Sequence, residues 1–263
     1  MPVRSAPQKG RGTATAPLCL ETGVKRGAAL TPQPGYSLLK KSEADFSRLF
    51  AALPRAAAHE ITPAEPGEGP AAAGFAAALA ALWGDGPIVW SREAGVSAED
   101  GELYPPGLAA LGLPLSRVII VDAKKRFEAL WAAEEALKIK GAIAIAEIGP
   151  RGAPLDLVAS RRFAMSAAEH GSTALIVSHI RARAASAAWS RWTIGSAPSS
   201  APAREIGLPA FSAHLTRLRH AAGERRWLLE WNAHDRTFRE TLAGDLVQPS
   251  ANGQADPAWA RAG

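Results

Sequence analysis

From Ser42 onward the apolar positions fall into two regimes. Phe46, Leu49, Phe50 and Leu53 recur at i, i+3, i+4 and i+7, behind Ser42-x-x-Asp45 as a capping box and ahead of Pro54 as a stop, so a first amphipathic helix is expected there. His59 to Thr62 reads as a short strand and Ala71 to Trp83 as a buried, Ala-rich helix packed closely on a sheet. Pro87 to Ser91, Arg117 to Asp122, Ala142 to Glu147 and Thr173 to Ser178 are continuous apolar runs of strand length. Helical stretches lie between them: a turn at Leu108 to Leu113, then Lys124 to Lys140 with Phe127, Leu130, Trp131 and Leu137 on one stripe. A further helix runs from Asp156 as cap to His170, ended by Gly171. Apolar strands alternating with helices predict an α/β fold with a parallel sheet covered on both faces.

After His179 the period becomes two. Ala188 to Gly195, Pro209 to Arg219, Arg226 to Trp231 and Arg236 to Glu240 read as short antiparallel strands added to one edge of the sheet. Residues 1–41 mix Pro, Gly, Thr, Ala and basic residues without a period, so they are expected to form a basic, unstructured tail, as are residues 243–263. The expected domain is thus 42–242, with a parallel core over 42–180 and antiparallel strands over 181–242.

Composition narrows the classes. The apolar share is 47%, but much of it is Ala, and no apolar run approaches the ~20 residues of a membrane span. No apolar segment follows the basic N-terminus, and Cys19 is the single cysteine, so a cytoplasmic chain without a disulfide framework or cysteine-based metal cage is expected. The net charge of +5 is segregated: +6 over residues 1–41, −5 over 42–177 and +4 over 178–263. The basic C-terminal third fits contact with nucleic acid or an acidic partner; it also fits an ordinary Arg-rich surface.

A parallel α/β sheet invites a phosphate at the loop after its first strand. Here that loop is Pro63 to Gly74, PAEPGEGPAAAG. Gly67, Gly69 and Gly74 are present, yet no Lys, Ser or Thr lies between Pro63 and Trp83, and Glu65 and Glu68 would repel phosphate. Losing two charge-assisted hydrogen bonds of ~1.5–3 kcal/mol each weakens a micromolar nucleotide site by roughly two to four decades. No other constellation suggests an enzyme. The six histidines show no metal-type spacing with carboxylates, so no metal and no cofactor are expected.

The order LPRAAAHEI, glycine-containing loop, Ala-rich helix, IVWSRE, YPPGLAALGL, RVIIVDA, ALWAAEEAL, AIAIAE, DLVASRRFAMSAAEHG, TALIVSHIR resembles the RecA-type ATPase core. More closely it is similar to the ImuA family, RecA-like accessory proteins of the bacterial mutagenic translesion cassette. The resemblance spans about Leu53 to Leu242. It implies a RecA-like three-layer α/β/α core, a mainly parallel sheet and C-terminal antiparallel strands. It also implies that Glu93 falls where RecA orients the attacking water, Glu147 where RecA binds magnesium and His179 where RecA senses the γ-phosphate. Together with Gly67, Glu68, Gly69 and Gly74 these would be positions of a degenerate nucleotide site. Strand-end polar residues at a sheet rim are the plainer account of all three.

What the resemblance implies for function is a non-catalytic adaptor in SOS-induced error-prone translesion synthesis. Its partner would be an ImuB-like Y-family polymerase homologue, and through it an error-prone polymerase III alpha-type subunit and the sliding clamp. The connections that match RecA's DNA-binding loops are short here, so any direct DNA contact would be a surface one. Arg181, Arg183, Arg191, Arg217, Arg219, Arg225, Arg226 and Trp227 are the candidate partner or DNA surface. Two alternatives stay open: a SulA-like cell-division inhibitor, and a divergent DNA-stimulated ATPase using Glu93 and Glu147 with Lys124, Lys125 or a lysine in trans.

Overall fold

The computed structural model describes residues 43–180, 185–202, 205–221 and 223–241. The two expected tails, Cys19, Arg181 and Arg183 therefore lie outside the described residues. Helix α1 (Glu43–Ala52) leads into β1 (Ala58–Pro63), α2 (Gly69–Trp83), β2 (Ile88–Glu93), α3 (Ala94–Asp100), α4 (Pro105–Ala110) and β3 (Val118–Ala123). Then follow α5 (Arg126–Leu137), β4 (Ile143–Ile148), α6 (Leu157–His170) and β5 (Thr173–Ser178). The last part is β6 (Ser190–Ser196), β7 (Ala210–Leu218), β8 (Arg225–Asn232) and β9 (Thr237–Glu240).

All nine strands form one sheet in the order β3-β2-β4-β5-β1-β6-β7-β8-β9. The expected architecture, a parallel α/β/α core with antiparallel strands at its C-terminal side, is the one present. One boundary moves. β6 pairs parallel with β1 and antiparallel with β7, so it belongs to both halves and the antiparallel part begins one strand later than its period predicts.

Helix α2 covers one face of the sheet. Eight of its 15 residues are Ala, with Phe75, Leu79 and Trp83 buried beside them, because a helix seated this closely on strands has room for little more than a methyl group along much of its contact. Helices α5 and α6 cover the other face. Here the sequence pattern misleads in part: of the expected stripe of Phe127, Leu130, Trp131 and Leu137, Leu137 is buried and Leu130 packs against the core, but the two aromatic residues do not. Ala129, Ala133, Ala136 and Leu137 face the sheet, while Phe127 and Trp131 point to solvent.

The antiparallel strands are fastened to the core by rings. Trp192 on β6 lies 5.6 Å from Phe50, 5.7 Å from Phe75 and 6.1 Å from Trp227, and Phe238 on β9 lies 4.7 Å from Trp231. Below this cluster is a buried polar chain. The Trp192 indole donates to Ser190 Oγ at 2.8 Å, and Ser190 Oγ lies 2.7 Å from His59 Nδ1. His59 Nε2 lies 3.0 Å from the Pro54 carbonyl, which only accepts, so Nε2 carries the proton and Nδ1 accepts from Ser190.

Burial lowers the His59 pKa to about 4, against the upward pull of the Pro54 hydrogen bond. An unfolded His titrates near ~6.5. Below that pH the unfolded chain takes up a proton that the native chain refuses, so stability falls as pH drops from about 6.5 to about 4, by about 3 kcal/mol in all. Urea titrations at pH 7.5 and 4.5 are expected to differ by most of this amount. In His59→Gln the difference should shrink; an unchanged one would remove His59 as its source.

Candidate functional site

The carboxyl ends of β1, β2, β4 and β5 meet at the N-terminus of α2, where a parallel α/β sheet places its ligands. Gly67 lies in the left-handed region of backbone space, with φ +89°. Three N–H groups of this loop are already used: Ala64 donates to the Ile194 carbonyl, Glu68 to the Glu65 carbonyl, and Glu65 to the Glu68 side chain. The Glu68 carboxylate accepts the Glu65 N–H at 3.2 Å, the Ser196 N–H at 3.1 Å and the Ser196 hydroxyl at 3.0 Å. This fastens the loop after β1 to the end of β6. Gly195 lies beneath it, and a Cβ there, 2.7 Å from Glu68 Oε2, would push the Glu68 carboxylate out of this position. Gly74 is inside α2 and faces Phe211.

At the first residue of α2 the crowding comes from the other side. A Cβ on Gly69 would collide with Asp100 Oδ2 and His179 Cε1. The space in front of the helix is thus filled by the chain's own carboxylate and imidazole. Asp100 is the last residue of α3, a helix the sequence pattern does not reveal.

Glu147, at the end of β4, is fully buried. Its Oε2 accepts from Arg92 Nε at 2.8 Å and from the Trp90 indole at 3.0 Å. Arg92 is equally enclosed, its side chain 3% exposed, and its Nη1 also donates to Ser97 Oγ and the Gly101 carbonyl. On the far side, His179 lies between two carboxylates: Nε2 is 3.4 Å from Glu147 Oε1 and Nδ1 is 3.4 Å from Asp100 Oδ2. These separations are longer than well-formed hydrogen bonds. Burial raises the Asp100 pKa, with His179 pulling it back. Burial pushes Glu147 up as well, but His179, Arg92 and Trp90 favour its charged form and the net direction is down.

Glu93 is placed differently from what an attacking-water role requires. Its Oε2 accepts the Gly149 N–H at 2.9 Å and contacts Arg126 Nε at 3.4 Å. Arg126 in turn donates to the Gly149, Arg151 and Ala153 carbonyls, so Glu93 and Arg126 together hold the loop after β4. Of the seven candidate nucleotide-site residues, Gly67, Glu68, Gly69, Glu147 and His179 converge at the head of α2. Asp100 and Arg92 join them without having been anticipated.

The candidate basic surface is mostly committed to internal contacts. Arg191 pairs with Glu60 at 2.6 Å. Arg217 donates to the Ser186 carbonyl at 2.6 Å, and Arg219 donates to the Ala187 carbonyl at 2.7 Å while stacking on Trp189. Trp227 is not a surface residue: it is 5% exposed, 5.4 Å from Phe46, because β8 alternates and its Trp227, Leu229 and Trp231 side is the core side. Arg226 is exposed and Arg225 partly so.

Exposed apolar groups lie elsewhere. Phe127 and Trp131 on α5 and Val158 and Met165 on α6 keep between 60% and 67% of their surface open. Phe127, Trp131 and Glu134 share one face of α5, and Val158, Arg162 and Met165 one face of α6. The ion pair between Glu134 and Arg162 joins the two faces. Nearby, β3 forms the sheet edge with Ile119 and Ile120 exposed.

Among the described residues no helix is long and apolar enough to cross a membrane. No protein-family model matches the chain. Among solved structures, the RadB recombinase covers 76% of this chain and 97% of its own at 13% identity, with a TM-score of 0.49. SulA from Pseudomonas aeruginosa covers 49% of this chain and 98% of its own at 16% identity, with a TM-score of 0.34. The sequence relatives are nearer. Protein ImuA of Caulobacter vibrioides, from strains NA1000 and CB 15 alike, is 35% identical over an alignment of 185 positions that covers 64% of this chain and 72% of the relative. With that identity across most of the relative's length, on the nine-stranded α/β core described above, the chain belongs to the ImuA family.

Proposed function

We propose that this protein is a non-catalytic, RecA-like adaptor in damage-induced, error-prone translesion DNA synthesis, and that it binds an ImuB-type Y-family polymerase homologue. The observation that carries this reading is the head of α2. A loop without Lys, Ser or Thr has its Glu68 carboxylate bonded to the Glu65 N–H and to Ser196 of β6, and its approach filled by Asp100 and His179. Phosphate there would meet carboxylates on two sides. A scaffold that has turned its nucleotide loop into a structural joint acts by holding other proteins. Through its partner it would reach a polymerase III alpha-type subunit and the sliding clamp.

The surface we assign to the partner is the α5/α6 face. Phe127 and Trp131 are large and rigid, they sit among polar residues, and nothing in the core uses them. Aromatic anchors of this kind dominate interface energies, at about 2 kcal/mol or more each.

The test is a pull-down of tagged protein from damage-treated cells, with the eluate identified by mass spectrometry. Recovery of a Y-family-like protein and a polymerase subunit is expected. Phe127→Ala/Trp131→Ala should reduce that recovery at least about thirtyfold while leaving Tm within about 2 °C, since both side chains are exposed. Mg-ATP at millimolar concentration should leave Tm unchanged. Recovery of a cell-division protein alone, or ATP turnover abolished by Glu93→Gln, would overturn the reading.

A further inference from the structure

Three buried side-chain atoms among the described residues have no hydrogen-bond partner: Asp100 Oδ2, Glu147 Oε1 and His179 Nε2. They are not scattered. All three residues point into one cluster, with ligand atoms from each within 4.8 Å of the others. A buried polar atom without a partner keeps the whole cost of losing its water, and a charged group keeps more. Three such atoms facing one another form a set of electron-pair donors converging on one point.

From this geometry we infer that Asp100, Glu147 and His179 bind a divalent transition-metal ion of the zinc type. One imidazole nitrogen and two carboxylate oxygens are a borderline donor set, suited to Zn2+ and less so to Mg2+ or Ca2+, which prefer oxygen alone. Atoms bound to zinc at ~2.0–2.1 Å and at tetrahedral angles lie about 3.3 Å apart. Glu147 Oε1 and His179 Nε2 are 3.4 Å apart. Asp100, with its side chain 12% exposed at the end of a seven-residue helix, offers a carboxylate oxygen within 4.8 Å of the ligand atoms of the other two.

The surroundings support the ligands. Glu147 is oriented from behind by Arg92 and Trp90 on its other oxygen, the arrangement that fixes a metal-bound carboxylate. Two positive features face the cluster: the Arg92 guanidinium and the amino end of α2. The first is paired by Glu147 Oε2 and approached by Glu102 at 3.8 Å. Asp100 occupies the space before the second, and Glu99 adds negative charge beside it. The alternative occupant of the cluster is a proton, giving an imidazolium between two carboxylates.

The ion would be structural. It would tie the end of α3 to the carboxyl ends of β4 and β5, at the place where phosphate would otherwise stand before α2. The inference does not depend on which partner the protein serves.

The experiment uses the full chain without a polyhistidine tag, stripped with chelator and titrated with ZnCl2 against a chromophoric competitor. One zinc per chain is expected, with Tm raised by about 5 °C at a hundredfold excess over Kd. Co2+ in its place should give the visible absorption of a four-coordinate nitrogen/oxygen site. Asp100→Asn and His179→Gln should each weaken zinc binding about a hundredfold and abolish the Tm rise. Should His179→Gln fail to fold, the Asp100→Asn titration and the wild-type cobalt spectrum decide. No zinc uptake, or equal affinity in wild type and variants, overturns the proposal and leaves the proton as occupant.

Discussion

Replacing Arg92 by Met is expected to destabilise the protein by about 3–5 kcal/mol, because it strands the carboxylate of Glu147 in the interior. The two side chains are 3% and 1% exposed and bonded at 2.8 Å. Their mutual attraction does little more than offset the cost of dehydrating both, so the pair adds little net stability while intact. Broken, it leaves an anion whose remaining donor to the same oxygen is the Trp90 indole. The variant also releases Ser97 and the Gly101 carbonyl, which Arg92 ties to β2. Two signatures separate this account from simple loss of packing. Arg92→Met/Glu147→Gln should recover part of the loss, since no buried charge is left. The single variant's deficit should also shrink as pH falls, because removing the guanidinium lifts the native Glu147 pKa and protonation then relieves the cost. Urea denaturation followed by tryptophan fluorescence at pH 7.5 and 5 measures both, and a loss under about 1 kcal/mol at pH 7.5 would contradict the argument.

Trp192→Ala is expected to cost about as much, roughly 3–5 kcal/mol, by a different route. Its ring is 1% exposed and packs on Phe50 from α1, Phe75 from α2 and Trp227 from β8. Truncation therefore opens a cavity where helix layer, parallel strands and antiparallel strands meet. It also removes the indole donor to Ser190, the next link to His59. Trp192→Phe keeps most of the packing and should recover more than half of the loss. Guanidinium unfolding of the two variants checks this; equal losses would place the energy in the hydrogen bond instead of the ring.

How far the sequence discloses this molecule depends on which residues carry the burial. β2, β4 and β5 are continuous apolar runs because both their faces are covered, and such runs are conspicuous. Asp156 caps α6 as its position suggests, accepting the Ala159 N–H at 2.7 Å, and Gly171 ends it with φ +65°. α5 is misread because its core side is built from Ala129, Ala133 and Ala136, spaced i, i+4 and i+7, whereas a search for large apolar residues selects Phe127 and Trp131 on the outside. Trp227 could have been assigned inward from the alternation with Leu229 and Trp231. α3 buries only Val96, so it has no period to detect, and Asp100 at its end is invisible as a site residue. Glu147 and His179 are noticeable only as strand-end residues. Their meeting with Asp100 follows from strand order, which brings the ends of β4 and β5 side by side beneath the helix after β2.

That strand order also sets a timetable for synthesis. β1 is among the first strands to leave the ribosome, yet its two neighbours are β5 and β6: Ala58 pairs with Ala174 and His59 with Ser190. At ~5–20 residues per second, β1 waits roughly ten seconds with both edges unpaired. β2 and β3 can pair with each other well before then. The nascent sheet therefore grows from its β3 end towards the middle, and the strand at its centre is closed in late.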